Sequence, residues 1–173
     1  MNPRLTTILM IIIAAALIRV MPHPPNVTPI AAIALFAGAY LPDRRLALIV
    51  PLAALFLSDL LIGFHDTMVY VYAGMAITVF IGAAISQRPT ILPAIAASFS
   101  ASVLFFLVTN YGAWVGSPLY PQTPEGLMTA MTAGIPFFRN SVLGDLFFTA
   151  ILFGGFQFVQ QILLTGKQAS GVR

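Results

Sequence analysis

Residues 46–64 read LALIVPLAALFLSDLLIGF, and these nineteen positions carry one ionisable side chain, Asp59. Coiled as a helix, such a run is long enough to cross about 30 Å of hydrocarbon. Its apolar residues stand at successive positions rather than alternating, which excludes a lipid-facing strand of a barrel. Polar clusters bound it, Pro42-Asp43-Arg44-Arg45 before and His65-Asp66 after.

The same pattern repeats on both sides. Further apolar runs occupy 5–20, 28–41, 67–86, 90–109 and 141–164, separated by PHPPN at 22–26, by Gln87-Arg88-Pro89 and by the stretch 110–139. Prolines and charges at these breaks cannot continue an apolar helix. The expectation is one all-α integral membrane domain with six transmembrane helices. The second run is the shortest: 14 residues make about 21 Å of helix. Thr28 before Pro29 reads as its cap and first turn. At the N-terminus, Arg4, an apolar stretch and Ala14-Ala15-Ala16 also fit a signal peptide with a cleavage site, which would leave five spans.

Composition agrees. Of 173 residues, 59% are hydrophobic and 8% charged, and the mean hydropathy is +0.95. A soluble domain carries about 25% charged residues. Eight Lys/Arg and five Asp/Glu cannot solvate a globule of this size, so a soluble enzyme and a disordered chain are excluded. The net charge of +3 comes without any basic cluster beyond Arg44-Arg45, which excludes nucleic acid as a partner. The absence of cysteine removes disulfides, thiolate zinc sites, iron–sulfur clusters and thiol chemistry.

Charge sets the orientation. With the N-terminus inside, Arg4, Arg44, Arg45, Arg88, Lys167 and Arg173 fall on the inner side, against Arg19 and Arg139 outside. This positive-inside bias predicts cytoplasmic termini in a multi-pass membrane protein. The long outer segment holds Tyr111, Trp114 and Tyr120. Thr123-Pro124-Glu125 starts a helix there: a cap, a first-turn proline and an acid at the positive end of the dipole. Gly134 and Pro136 are expected to stop it, giving a short extra helix over 124–133 ahead of the last span.

Polar residues concentrate in the outer half. Asp59, Asp145 and Arg19 each lie about one turn inside the outer end of a span, and ionisable groups in a membrane point to function by default. Two readings compete: structural ion pairs among Arg19, Arg139, Asp59 and Asp145, or a polar ligand bound among them. The candidate ligand-binding residues are Arg19, Asn26, Asp59, His65, Tyr70, Asn110, Trp114, Arg139 and Asp145. Acid groups of a ligand would go to the arginines, amines or hydroxyls to Asp59 or Asp145, and aromatic residues would stack a ring. His23 and His65 are possible metal or haem ligands, but their spacing is not diagnostic and no metal or cofactor is expected. No catalytic motif occurs, and Gly166-Lys167 lacks the earlier glycine of a phosphate loop. Small residues recur at four-residue spacing: Gly74/Thr78/Gly82, Ala94/Ser98/Ser102, Ala34/Gly38 and Ala150/Gly154. Such ridges let helices approach closely, within the protein or against another subunit.

The segments PHPPNVTPIAAIALFAGAY (22–40), PLAALFLSDLLIGFH (51–65), TNYGAW (109–114), YPQTPEGL (120–127) and IPFFRNSVLGD (135–145) together resemble a family of small bacterial integral membrane proteins of unknown function. More distantly, the chain resembles the substrate-binding S components of energy-coupling-factor transporters. That likeness implies six helices, termini inside, and capture of a small molecule from the outer face for uptake with separate energising subunits. The first helix departs from the docking pattern of those proteins, because Ala14 is followed at four residues by Ile18. A second class remains open: a non-catalytic structural or assembly subunit packed onto a larger membrane complex.

Overall fold

The computed structural model describes residues 3–22 and 24–170, with the side chains of 10, 13–22 and 24–162. The described residues form six helices and no strand: α1 Pro3–Val20, α2 Ile30–Tyr40, α3 Arg44–Ile62, α4 Met68–Ala84, α5 Ile91–Gly116 and α6 Pro124–Ser170. Three are long and apolar enough to cross a membrane: Arg44–Ile62, Ile91–Gly116 and the Pro124–Ile162 part of α6. Helices α2 and α4 are apolar but shorter.

Local chemistry explains most boundaries. Leu41, which precedes Pro42, is extended (φ −85°, ψ 121°), as the proline ring requires of its neighbour. Asp43 then caps α3, its carboxylate accepting from the backbone N–H groups of Arg45 at 2.9 Å and Leu46 at 3.4 Å. The Arg44 guanidinium reaches back to the Gly38 carbonyl at 2.8 Å, so one short connection ties off both helices. Asp43→Ala should cost about 1 kcal/mol, read as a lower melting temperature in detergent. At the other end of α3, Gly63 takes φ +107°, which a side chain would strain.

Three expectations are corrected. Helix α2 starts at Ile30 with Pro29 as its cap residue and no side-chain cap bond, so Thr28 does not cap it. The short helix over 124–133 and the last span are one helix of 47 residues, about 70 Å long. Its start is as expected, since Thr123 Oγ1 accepts from Gly126 N at 3.3 Å. It does not stop at Gly134 or Pro136. Proline removes one N–H, and the glycine is held by packing: a Cβ there would collide with the Asn110 side chain of α5. The fifth helix likewise runs past Thr109 to Gly116. Asn110 does not break it, because its amide donates to the Phe106 carbonyl one turn back at 2.8 Å.

The short α2 is the hub. It packs against α3, α4, α5 and α6, and Ile30, Ala32, Ala34, Leu35, Ala37, Gly38 and Ala39 are buried. Its contact with α4 is backbone to backbone. A Cβ on Gly38 would overlap the Val79 carbonyl, and one on Gly82 would overlap the Leu35 carbonyl. Gly74 lies under the Phe105 ring. The ridges on α2, α4 and α5 are thus filled within the protein. At the far end of α2, Phe36 and Tyr40 pack on Phe153 and Phe156. Tyr40 Oη and Gln157 Nε2 both donate to the Pro89 carbonyl, at 2.7 and 3.1 Å.

Large apolar side chains face outward along the helices, among them Phe56, Val69, Phe80, Leu92, Phe99 and Phe147. A water-facing surface tolerates no such continuous apolar cover, whereas lipid does.

Candidate functional site

Three polar clusters lie between the helices. The first joins α1, α3 and α4. Arg19 Nη1 forms an ion pair with Asp59 Oδ1 and donates to Ser58 Oγ at 2.6 Å. Tyr72 Oη donates to the other Asp59 oxygen at 2.9 Å. The Asp59 side chain is fully buried, while that of Arg19 is 18% exposed. Every oxygen of the carboxylate is therefore occupied.

The second cluster runs along the α5–α6 interface. Ser102 Oγ donates to Asp145 Oδ2 at 2.7 Å, and Thr149 Oγ1 donates to Ser98 Oγ at 3.1 Å. All four residues are buried. Antiparallel packing brings the ridge of α5 onto this face of α6, so its serines meet Asp145 and Thr149 instead of lipid.

The third is a cavity of about 430 Å³ whose wall is drawn from all six helices. Arg19 of α1, Ala31 of α2, Leu55 of α3, Met75 of α4, Thr109 of α5 and Asp145 of α6 face it. The α1–α2 connection adds Asn26 and Thr28, and the α3–α4 connection adds His65. Asn26 holds φ +63°, a left-handed conformation that asparagine tolerates better than most residues. The His65 ring lies 2.9 Å from Thr67 Oγ1 through Nδ1 at the exposed edge.

Of the nine residues singled out from sequence, the cavity wall gathers Arg19, Asn26, His65 and Asp145. Asp59 lies behind Arg19 as its counter-ion. Tyr70 packs its ring over Gly112 and against Tyr111. Asn110 fills the space beside Gly134. Trp114 Nε1 donates to the Pro121 carbonyl at 2.8 Å, and Gln122 Nε2 returns a bond to the Trp114 carbonyl at 2.7 Å. Those two bonds lock the α5–α6 connection. Arg139 is exposed and makes no ion pair among the described residues. His23 lies outside the described residues. Among the described residues no three of His, Asp and Glu come together as a metal site.

Sequence reading missed Tyr72, Ser102 and Thr149. The signal for Tyr72 was its position two residues after Tyr70, on the opposite side of α4. The serines were read as small packing residues only, although a buried hydroxyl opposite a buried acid is its natural partner.

Among the described residues these features define an all-helical protein with three membrane-length helices and a cavity between its helices that gathers four polar side chains singled out above. A family model described as "Family of unknown function (DUF6580)" matches residues 1–167. The chain belongs to that family. No curated protein and no solved structure matches it.

Proposed function

We propose that this chain is a multi-pass protein of the bacterial inner membrane, with cytoplasmic termini, that captures a small molecule from the outer face. Separate energising subunits would drive its uptake, as the likeness to S components suggests. One observation carries the reading: all six helices contribute to one cavity, whose largely apolar wall gathers Arg19, Asn26, His65 and Asp145, in a protein whose buried apolar side chains are mostly alanine. Ligand pockets have this make-up, an apolar wall with a few convergent polar groups. Asn26, His65, Arg19 and Asp145 are the groups that would touch the ligand, and Asp59 fixes Arg19. No residue set suggests a reaction.

The absence of cysteine gives a direct test. A single Thr109→Cys substitution places a thiol on the cavity wall. In sealed right-side-out vesicles with glutathione trapped inside to quench any reagent that crosses the bilayer, methyl methanethiosulfonate, small and uncharged, should still modify it when added outside. A folded variant that resists the reagent from outside would remove the capture reading. Affinity purification in mild detergent tests the energising part. Recovery with a membrane subunit and ATPases is expected; recovery alone would leave a solitary binder.

A second reading has its own observation. Ala150 is exposed, and nothing lies within 4 Å of the place a Cβ would take on Gly154 or Gly155. That small-residue face of α6 is open, unlike the filled ones on α2 and α4, and it suits a helix of another membrane subunit. Purification with a stoichiometric complex lacking ATPases would favour this structural role.

A further inference from the structure

The charges around the cavity do not balance. Arg19 and Asp145 are the two charged side chains in its wall, where the third titratable residue, His65, is counted as neutral at pH 7. The Arg19 charge is matched by Asp59, whose other oxygen accepts from Tyr72. Asp145 is buried, bonds to the neutral hydroxyl of Ser102, and makes no ion pair among the described residues. One cation therefore faces two carboxylates, a formal surplus of one negative charge. Nearby charges do not alter this count, since Asp66 and Arg139 are both exposed and neither lines the cavity.

A buried carboxylate without a counter-charge is costly, so it holds a proton or a cation. From this we infer that the cavity selects an organic ammonium, with Asp145 as its anchor. The inference rests on the capture reading and names its ligand class. The remaining wall fits that chemistry. Leu55, Ile62, Val71, Met75 and Phe105 provide an apolar surface for the body of an amine. Ile30 and Ala31, at the start of α2, also line the cavity, and the cap residue Pro29 supplies no side-chain hydrogen bond. The first-turn N–H groups of a helix have no intrahelical acceptor and would take a hydroxyl or carbonyl oxygen of the same ligand. A carboxylic acid of equal size would meet Asp145 as a like charge.

The test reads the field of the cavity and requires no knowledge of the natural ligand. The Thr109→Cys protein is treated separately with the ethylammonium and the ethylsulfonate methanethiosulfonates. Their rate ratio cancels the thiolate fraction. Dividing by the same ratio at an exposed site, Leu119→Cys, cancels their intrinsic reactivities. The expected normalised preference for the ammonium reagent is about tenfold or more, falling to within about twofold when Asp145→Asn is added. A normalised ratio near one in the protein that keeps Asp145 overturns the inference, since Asp145 then holds a proton; that outcome stands even where Asp145→Asn does not fold. A preference that survives Asp145→Asn also overturns it, by placing the charge elsewhere. Either result leaves the capture reading intact when the uncharged reagent still enters. Failure of the uncharged reagent removes both.

Discussion

Replacing Gly38 or Gly82 by alanine is expected to destabilise the protein by about 3 kcal/mol or more, at the upper end of overpacking costs. The added methyl group meets a main-chain carbonyl in both cases, that of Val79 or that of Leu35. A flexible side chain could rotate away, but these carbonyls are fixed in helices and can yield only if α2 and α4 separate. Separation would uncover Leu35 and Val79, two of the most deeply buried side chains, and would disturb α2 against its other neighbours. The check is thermal unfolding in detergent, followed by helical signal and by the monodisperse fraction. Gly154→Ala is the control, because open space surrounds that position and alanine favours helix over glycine. It should be neutral or mildly stabilising. Gly38→Ala as stable as the parent would mean that the helices do not meet through this face.

Removing the Arg19 side chain should have a comparable effect for an electrostatic reason. Arg19→Leu leaves the Asp59 carboxylate buried with the Tyr72 hydroxyl as its remaining side-chain donor, because the Ser58 hydroxyl donates to the Ala54 and Leu55 carbonyls. Breaking one partner of such a pair costs about 3–5 kcal/mol, whereas replacing both by apolar residues is often close to neutral. The double variant Arg19→Leu/Asp59→Leu should therefore recover most of the loss. A double-mutant cycle with a coupling of about 2 kcal/mol or more is the expected result. Additive losses would show that the two side chains act independently, and that α1 is held on α3 by apolar contact alone.

The order and rough limits of the helices were legible in the sequence because prolines and charges punctuate it. Pro42 and Asp43 illustrate this, since their effects are local and need no tertiary information. The two misjudged stops depended on contacts across the bundle. Gly134 and Pro136 look like a stop until Asn110 is seen to pack against the glycine. Asn110 looks polar enough to end α5 until its amide is seen to bond within its own helix. The site divides in the same way. Arg19, Asp59 and Asp145 stood out as ionisable groups within apolar runs, and depth alone suggested pairing. Which acid Arg19 would choose depends on the packing of α1 against α3, and no spacing encodes it. Arg139 shared that depth, yet it faces outward and leaves Asp145 to Ser102.

The shortness of α2 has an electrical consequence. The cavity reaches the first turn of α2, and its 11 residues span about 16 Å, roughly half the hydrocarbon thickness. With the cavity open to the outer solution, as proposed above, the membrane voltage falls across little more than this helix and the aromatic cluster at its far end. A full crossing is worth about 2.3 kcal/mol per unit charge at 100 mV, and that drop would lie almost entirely beyond the cavity floor, on the path from the cavity to the inner side. With the interior negative, a cation is drawn inward and an anion held back. Resting membrane potential would thus favour the passage of the ligand class that Asp145 selects from the cavity inward, while leaving its binding in the open cavity nearly unaffected.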